Sequence, residues 1–116
     1  MESILSVQIP DSITAIGEKS FYGCKKLAAA VIPDSVRSIG YGTFCDCENL
    51  INVVLPRGIT VISSRTFKGC SNLASIVIPE GVTGIEDRAF YGCSSLTSIV
   101  IPESVTHIGD SAFSWC

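Results

Sequence analysis

Charge is scarce in this 116-residue chain: eight Lys and Arg and eleven Asp and Glu make up 16% of it and leave a net charge of −3. With no basic excess there is no electrostatic case for nucleic acid or an anionic lipid surface as a partner. Long apolar runs are missing too. The longest, Leu27 to Ile32, is far short of the ~20 residues a membrane-spanning helix needs, so membrane insertion is not expected. No charged-then-apolar leader precedes the patterned region. Met1 and Glu2 run straight into it, and we expect the chain to be a piece of a longer array. Histidine occurs once, as His107, with no serine–acid constellation around it. There is no glycine-rich phosphate loop, no HExxH and no spaced carboxylate pair. Catalytic, cofactor-binding and metal-binding residues are therefore all read as none.

What the chain does have is a period. Pro10, Pro33, Pro56, Pro79 and Pro102 stand 23 residues apart, as do Phe21, Phe44, Phe67, Phe90 and Phe113. Five of the six cysteines (Cys24, Cys47, Cys70, Cys93 and Cys116) keep the same interval. A period of this length is the mark of a solenoid, in which each repeat is one coil stacked on the next. Five periods occupy 115 of the 116 residues, so the expectation is one domain, 1–116, built from five coils.

Within a coil, the repeat at 73–95 shows the pattern. Ile76 and Ile78 are two apart in a β-branched stretch, the strand period. Equivalent segments in successive coils predict a parallel five-stranded sheet with strands ~4.8 Å apart. Pro79 then ends the strand, having no N–H for the ladder and a fixed φ. Val82 and Ile85 follow three apart, which fits either a second short strand or a tight turn. Asp87 to Tyr91 reads as a short helical turn with the aspartate near its start. Gly23, Gly69 and Gly92 suit a left-handed φ. Asp46 takes that place in the second coil and tolerates it moderately well. Trp115 takes it in the last and fits poorly, so a frayed or rearranged terminal turn is expected there. One coil alone would leave its apolar faces open. Stacked, each buried Leu, Ile, Val or Phe contributes roughly 1.5–3 kcal/mol.

The segments at 78–96 and 101–116, IPEGVTGIEDRAFYGCSSL and IPESVTHIGDSAFSWC, resemble the Bacteroides surface protein A-type leucine-rich repeats, also called Treponema-type. Their pattern is Leu-x-x-Ile-x-Ile-Pro-x-x-Val-x-x-Ile-Gly-x-x-Ala-Phe-x-x-Cys. About ten positions match at fixed spacing in each of the five periods. The resemblance implies a curved leucine-rich-repeat solenoid with a parallel sheet on one face and short extended segments and helical turns on the other. It also implies a non-catalytic protein-binding role. It points to an extracellular or cell-surface location and an adhesin-like part in a surface or secreted protein, with a host matrix or cell-surface protein as partner. Ser63 and Glu86 depart from the glycine found at Gly17, Gly40 and Gly109.

Three surfaces are candidates for function. The first is the outer face of the expected sheet, where Gln8, Val31, Val54, Val77 and Val100 should point outward, flanked by Ser6, Ala29, Asn52, Ser75 and Ser98. An exposed row of valines is a candidate partner site, though valine also stabilises strands wherever it stands. The second is a charged rim just past the prolines, Asp11, Asp34, Arg57, Glu80 and Glu103, in which Arg57 would relieve repulsion between its neighbours. The third is the pair of ends. Neither terminal coil reads as a polar cap, so Leu5, Val7 and Trp115 are candidates for end-to-end association into a homo-oligomer.

The cysteine column reads as buried free thiols packed as small hydrophobes. An in-register column spaces its Cβ atoms more widely than a disulfide prefers and cannot surround a tetrahedral metal. Cys45 lies off the column, at a variable position that reads as exposed, which makes it the leading candidate for a reactive thiol, although an incidental half-buried residue is the favoured reading.

Overall fold

Residues 5–116 are described by the structure, a computed structural model. Among them are eight short strands: β1 (Leu5–Gln8), β2 (Ala15–Ile16), β3 (Leu27–Val31), β4 (Ser38–Ile39), β5 (Asn52–Val54), β6 (Val61–Ile62), β7 (Gly84–Ile85) and β8 (His107–Ile108). All of their pairings are parallel and, past a register shift between Leu5 and Ser6, join residues one period apart. Val7 faces Ala30 and Gln8 faces Val31 between β1 and β3, and Ala30 faces Val53 between β3 and β5. The chain is thus a parallel β-solenoid in which like residues meet like. The five phenylalanines mark its levels.

The alternation of the first segment does what a strand period dictates. Ala30, Ile32, Val53, Leu55, Ile76 and Ile78 are buried, while the residues between them face out. After each proline the chain turns back: Val36 N–H donates to the Pro33 carbonyl at 3.0 Å, and Val82 and Val105 repeat this with Pro79 and Pro102. The following Val-x-x-Ile segment is a strand rather than only a turn, since β2 pairs with β4, β6 with β7, and β7 with β8.

The helical turns expected around Asp87 to Tyr91 are not there; the described residues contain no helix. Each phenylalanine sits instead between two tight turns. One is closed by bonds such as Tyr22 N–H to the Lys19 carbonyl, the next by Cys24 N–H to the Phe21 carbonyl. The residue two before each phenylalanine has a left-handed φ (Lys19, Gly42, Arg65, Arg88 and Ser111), and so does the residue two after it (Gly23, Asp46, Gly69, Gly92 and Trp115). Alternating right- and left-handed residues align successive peptide N–H groups on one side. Every second N–H is then free to reach the next level.

Phe21 donates to the Thr43 carbonyl, Phe44 to Thr66, Phe67 to Ala89 and Phe90 to Ala112, all at 2.8–2.9 Å. Flanking bonds such as Lys19 to Tyr41 and Gly23 to Cys45 complete three per step, and the set recurs at every step to Ser114. A helix would have spent those N–H groups inside its own coil. Trp115 conforms, with φ of 64° and the Ser114 N–H to Ser111 carbonyl bond intact. The frayed terminal turn is therefore corrected to a regular one.

The core follows this edge. The phenylalanine rings stack with centroids 5.4, 5.6, 5.3 and 5.2 Å apart and planes within 14° of parallel, inside the range for favourable ring pairs. Beside them, each column thiol donates to the phenylalanine carbonyl one level back: Cys47 to Phe21 and Cys70 to Phe44 at 3.1 Å, Cys93 to Phe67 and Cys116 to Phe90 at 3.2 Å. All six thiols are free. The two fully buried threonines, Thr43 and Thr66, bond the carbonyls of Gly40 and Ser63 at 2.7 Å. No buried side-chain polar atom among the described residues lacks a partner.

The five-stranded sheet is also corrected. The first sheet holds only β1, β3 and β5. Segments 74–78 and 97–101 keep the in–out alternation but belong to no strand ladder. The second wall behaves in the opposite way. It pairs β2 with β4, breaks, and pairs again as β6-β7-β8. From the Phe44 level to the Phe67 level the first wall is closed and the second open; beyond Phe67 the first is open and the second closed. At the break, the Ile39 carbonyl accepts from the Ser63 hydroxyl, whereas the Ile62 and Ile85 carbonyls accept from the backbone of Glu86 and Gly109. Close approach explains the glycines kept at this position. A Cβ on Gly40 would lie 2.7 Å from the Glu18 nitrogen, and one on Gly109 2.5 Å from the Asp87 nitrogen.

Candidate interaction face

Outside the first wall, the side chains predicted to face out do so. Val31 is 47% exposed, Val54 56%, Val77 81% and Val100 82%, so exposure rises where the ladder is open. Gln8, Asn52, Ser75 and Ser98 are exposed beside them. Ile51 is also an exposed apolar side chain, just before β5. Nothing in the repeat pointed to it, because its counterparts Leu5, Ala28, Ala74 and Thr97 show no consistent large apolar residue.

Between levels the face is grooved. One groove of about 220 Å³ is lined by Val53, Val54, Leu55, Arg57, Val77 and Pro79. The next, of about 320 Å³, runs between Ser75–Ile78 and Ser98–Val100 and ends at Glu80 and Pro102. Both lie where the first wall has no ladder. At the paired end the groove is mixed instead, with Gln8, Asp11, Asp34 and Ser35 beside Ile9, Val31 and Pro33.

The charged rim borders these grooves. Arg57 is committed to one neighbour. Its backbone N–H meets Asp34 Oδ1 at 2.9 Å, and its Nε and Nη2 meet Oδ2 at 3.0 Å. The backbone N–H first, then the guanidinium, hold the Asp34 carboxyl below its usual range. Among the described residues, Asp11, Glu80 and Glu103 have no such cation, so they leave the rim acidic.

The remaining candidates fall elsewhere. Cys45 is buried, 4% exposed, and burial is the main cause that pushes its thiol pKa up. The expected exposure of Cys45 is corrected. Sequence variability at its position does not mean exposure: Cys45 closes the turn that starts at Gly42, its N–H donating to the Gly42 carbonyl at 3.1 Å. Burial likewise pushes Cys47 and Cys93 up to about 12 and Cys70 further. His107 is exposed, with Nε2 3.6 Å from Glu86 Oε1. Trp115 is 75% exposed at the last level, Val7 is half-buried, and the side chain of Leu5 lies outside the described set.

The turn edge carries a feature that was not anticipated: Lys19 lies over the rings of Tyr22 and Tyr41, Arg65 over Tyr41 and Lys68 over Tyr91, at 5.6–5.9 Å. Among the described residues, no three His, Cys, Asp or Glu side chains gather as a metal would require. No helix there is long and apolar enough to cross a membrane.

A parallel solenoid with a 23-residue period, a stacked phenylalanine spine and a flat first wall is a leucine-rich-repeat protein. The chain belongs to the BspA type leucine-rich repeat family, whose model matches residues 1–116 in six copies. Among solved structures it is similar to a leucine-rich cell surface protein of Faecalibacterium prausnitzii, with 45% identity over 96% of this chain and a TM-score of 0.93. A leucine-rich repeat protein of T. pallidum is 36% identical over 98% of the chain, with a TM-score of 0.92. One from Bacteroides ovatus is 33% identical over 96%, with a TM-score of 0.79. The chain spans 29%, 55% and 34% of these three proteins. No curated protein matches it.

Proposed function

We infer that this chain is a non-catalytic protein-interaction module, one repeat domain of five coils, acting as an adhesin-like part of a surface or secreted protein. The observation that carries the reading is the row Val31, Val54, Val77 and Val100, exposed on a wall whose other side is core. Contiguous exposed apolar rows mark partner sites, and the F. prausnitzii relative is a cell surface protein. Asn52, Ser75, Ser98 and Gln8 supply polar contacts around the row, so that the site has an apolar centre and a polar rim. A host matrix or cell-surface protein is the partner that fits this setting.

The test is binding to a panel of immobilised matrix proteins and to cultured cells. Val54→Glu and Val77→Glu are expected to abolish binding and leave the far-UV circular dichroism unchanged. Unaltered binding by both variants would refute the assignment of this face.

A second reading, in which the chain is a spacer or self-assembly element joined end to end through Leu5, Val7 and Trp115, draws on the exposed Trp115 ring. It predicts that Trp115→Ser lowers the mass measured by light scattering. A concentration-independent monomer before and after the change would dismiss it.

A further inference from the structure

We propose that the occupant of the valine face is an amphipathic α-helix of the partner, laid along the stacking axis with basic side chains on the flank that faces the acidic rim. The proposal rests on the interaction reading above and adds the shape and charge of what binds.

The first argument is commensurability. At the phenylalanine spine the levels repeat every 5.2–5.6 Å, and beyond β5 the first wall has no ladder to draw them in to the ~4.8 Å of paired strands. An α-helix advances ~5.4 Å per turn and offers one side chain per turn at i, i+4, i+7 and i+11. Laid along the axis, it stays in step with the levels. An extended strand offers side chains on one face every ~6.7 Å. It drifts by more than 1 Å at each level and falls out of register within three.

The second argument is the grooves. They open on either side of Val77, one level apart, because the first wall has no ladder there. Their linings are chiefly apolar, from Val53, Leu55, Ile76 and Ile78. Two side chains one helical turn apart can seat in the two grooves and straddle Val77, which is ridge-into-groove packing with coils in place of a second helix.

The third is charge. Arg57 is neutralised by Asp34, while Asp11, Glu80 and Glu103 all lie exposed along one border of the row. The opposite border is Asn52, Ser75 and Ser98. This one-sided charge selects a helix with lysine or arginine on one flank, which fixes its orientation about its own axis. Such rim charges steer association more than they hold it.

The probe is a fluorescein-labelled synthetic peptide of about 18 residues, with leucine at i, i+4, i+7 and i+11 and lysine along one flank. It is compared with a same-length peptide interrupted by a central proline and with one carrying glutamate on the flank. Fluorescence anisotropy reads binding, and far-UV circular dichroism reads helix gained by the peptide. The lysine peptide is expected to bind with a gain of helix, and Val77→Glu should weaken it by about tenfold or more. Glu80→Lys with Glu103→Lys should weaken it by about threefold to tenfold and favour the glutamate peptide instead.

Equal binding of the proline-interrupted peptide would overturn the proposal in favour of an extended occupant. So would a dimer of this chain, seen by sedimentation, that Val77→Glu dissociates. Loss of matrix or cell binding in Val77→Glu without any preference for the helical peptide sinks the helix and leaves the face. No effect of Val54→Glu or Val77→Glu on either assay sinks both.

Discussion

Phe67→Leu tests the claim that stability in this protein passes from level to level through the ring stack. Phe67 is fully buried and has a ring on each side, Phe44 at 5.6 Å and Phe90 at 5.3 Å. Phe113 is only partly buried and has one ring neighbour, Phe90 at 5.2 Å. Complete truncation of a buried phenylalanine costs about 3–5 kcal/mol, a large share of the ~5–15 kcal/mol of a typical domain, so Phe67→Ala risks unfolding outright. Leucine keeps most of the apolar volume and removes the two ring pairs, each worth ~0.5–1.5 kcal/mol beyond area. Phe67→Leu is therefore expected to cost about 2 kcal/mol and Phe113→Leu about 1 kcal/mol or less. Urea unfolding followed by circular dichroism measures both, with the slope reporting whether the transition stays cooperative. Equal costs for the two variants would refute the nearest-neighbour reasoning, since only one of them has neighbours above and below.

Further outcomes follow from the same geometry. Gly17→Ala is expected to be neutral within about 0.5 kcal/mol, since only Ser20 Oγ comes near its Cβ position, at 3.8 Å. Gly40→Ala and Gly109→Ala, whose Cβ atoms would meet backbone, should each lose about 2 kcal/mol or more in the same urea assay. Iodoacetamide followed by mass spectrometry should label Cys116 first, which is exposed, and reach Cys45, Cys47, Cys70 and Cys93 only after denaturation; rapid native labelling of Cys45 would contradict its burial. Alkali should destabilise the fold. Burial raises the folded pKa of Cys47 and Cys93 from 9.0 to about 12. Stability is thus complete below pH 9 and falls as the pH climbs from there toward about 12, by ~1.4 kcal/mol per pH unit for each such thiol. Cys93→Ala should flatten this decline in urea midpoints taken from pH 8 to 10.5 if the thiol is its cause.

How much of this could be read from the residues differs from one feature to the next. The 23-residue interval of proline, phenylalanine and cysteine gave the stacking, the register and the free thiols, because a column of identical side chains can form only if the coils lie in register. The Ile-x-Ile alternation gave the valine face for the same reason that any strand turns alternate residues outward. The turn around each phenylalanine was misread, because a short Ala-Phe-x-Gly stretch suits a helical turn as well as two tight turns. The difference lies in which carbonyl each N–H meets, 22 residues along rather than four back. Only Gly42 hints at the left-handed column before the phenylalanines; Lys19, Arg65, Arg88 and Ser111 conceal it. Cys45 was misplaced because a variable position looks like surface, whereas the fold buries this one.

By itself, then, the sequence determined the repeat, the inward set and the candidate face, since these depend on spacing along one chain and on burying apolar groups. Tertiary structure alone decided where each wall closes: the first through Val54, the second again from Val61 onward. That choice opened the grooves around Val77, and it depends on how neighbouring levels tilt against one another about an edge whose hydrogen bonds hold throughout. Such a tilt is a property of the stack and is written in no single repeat.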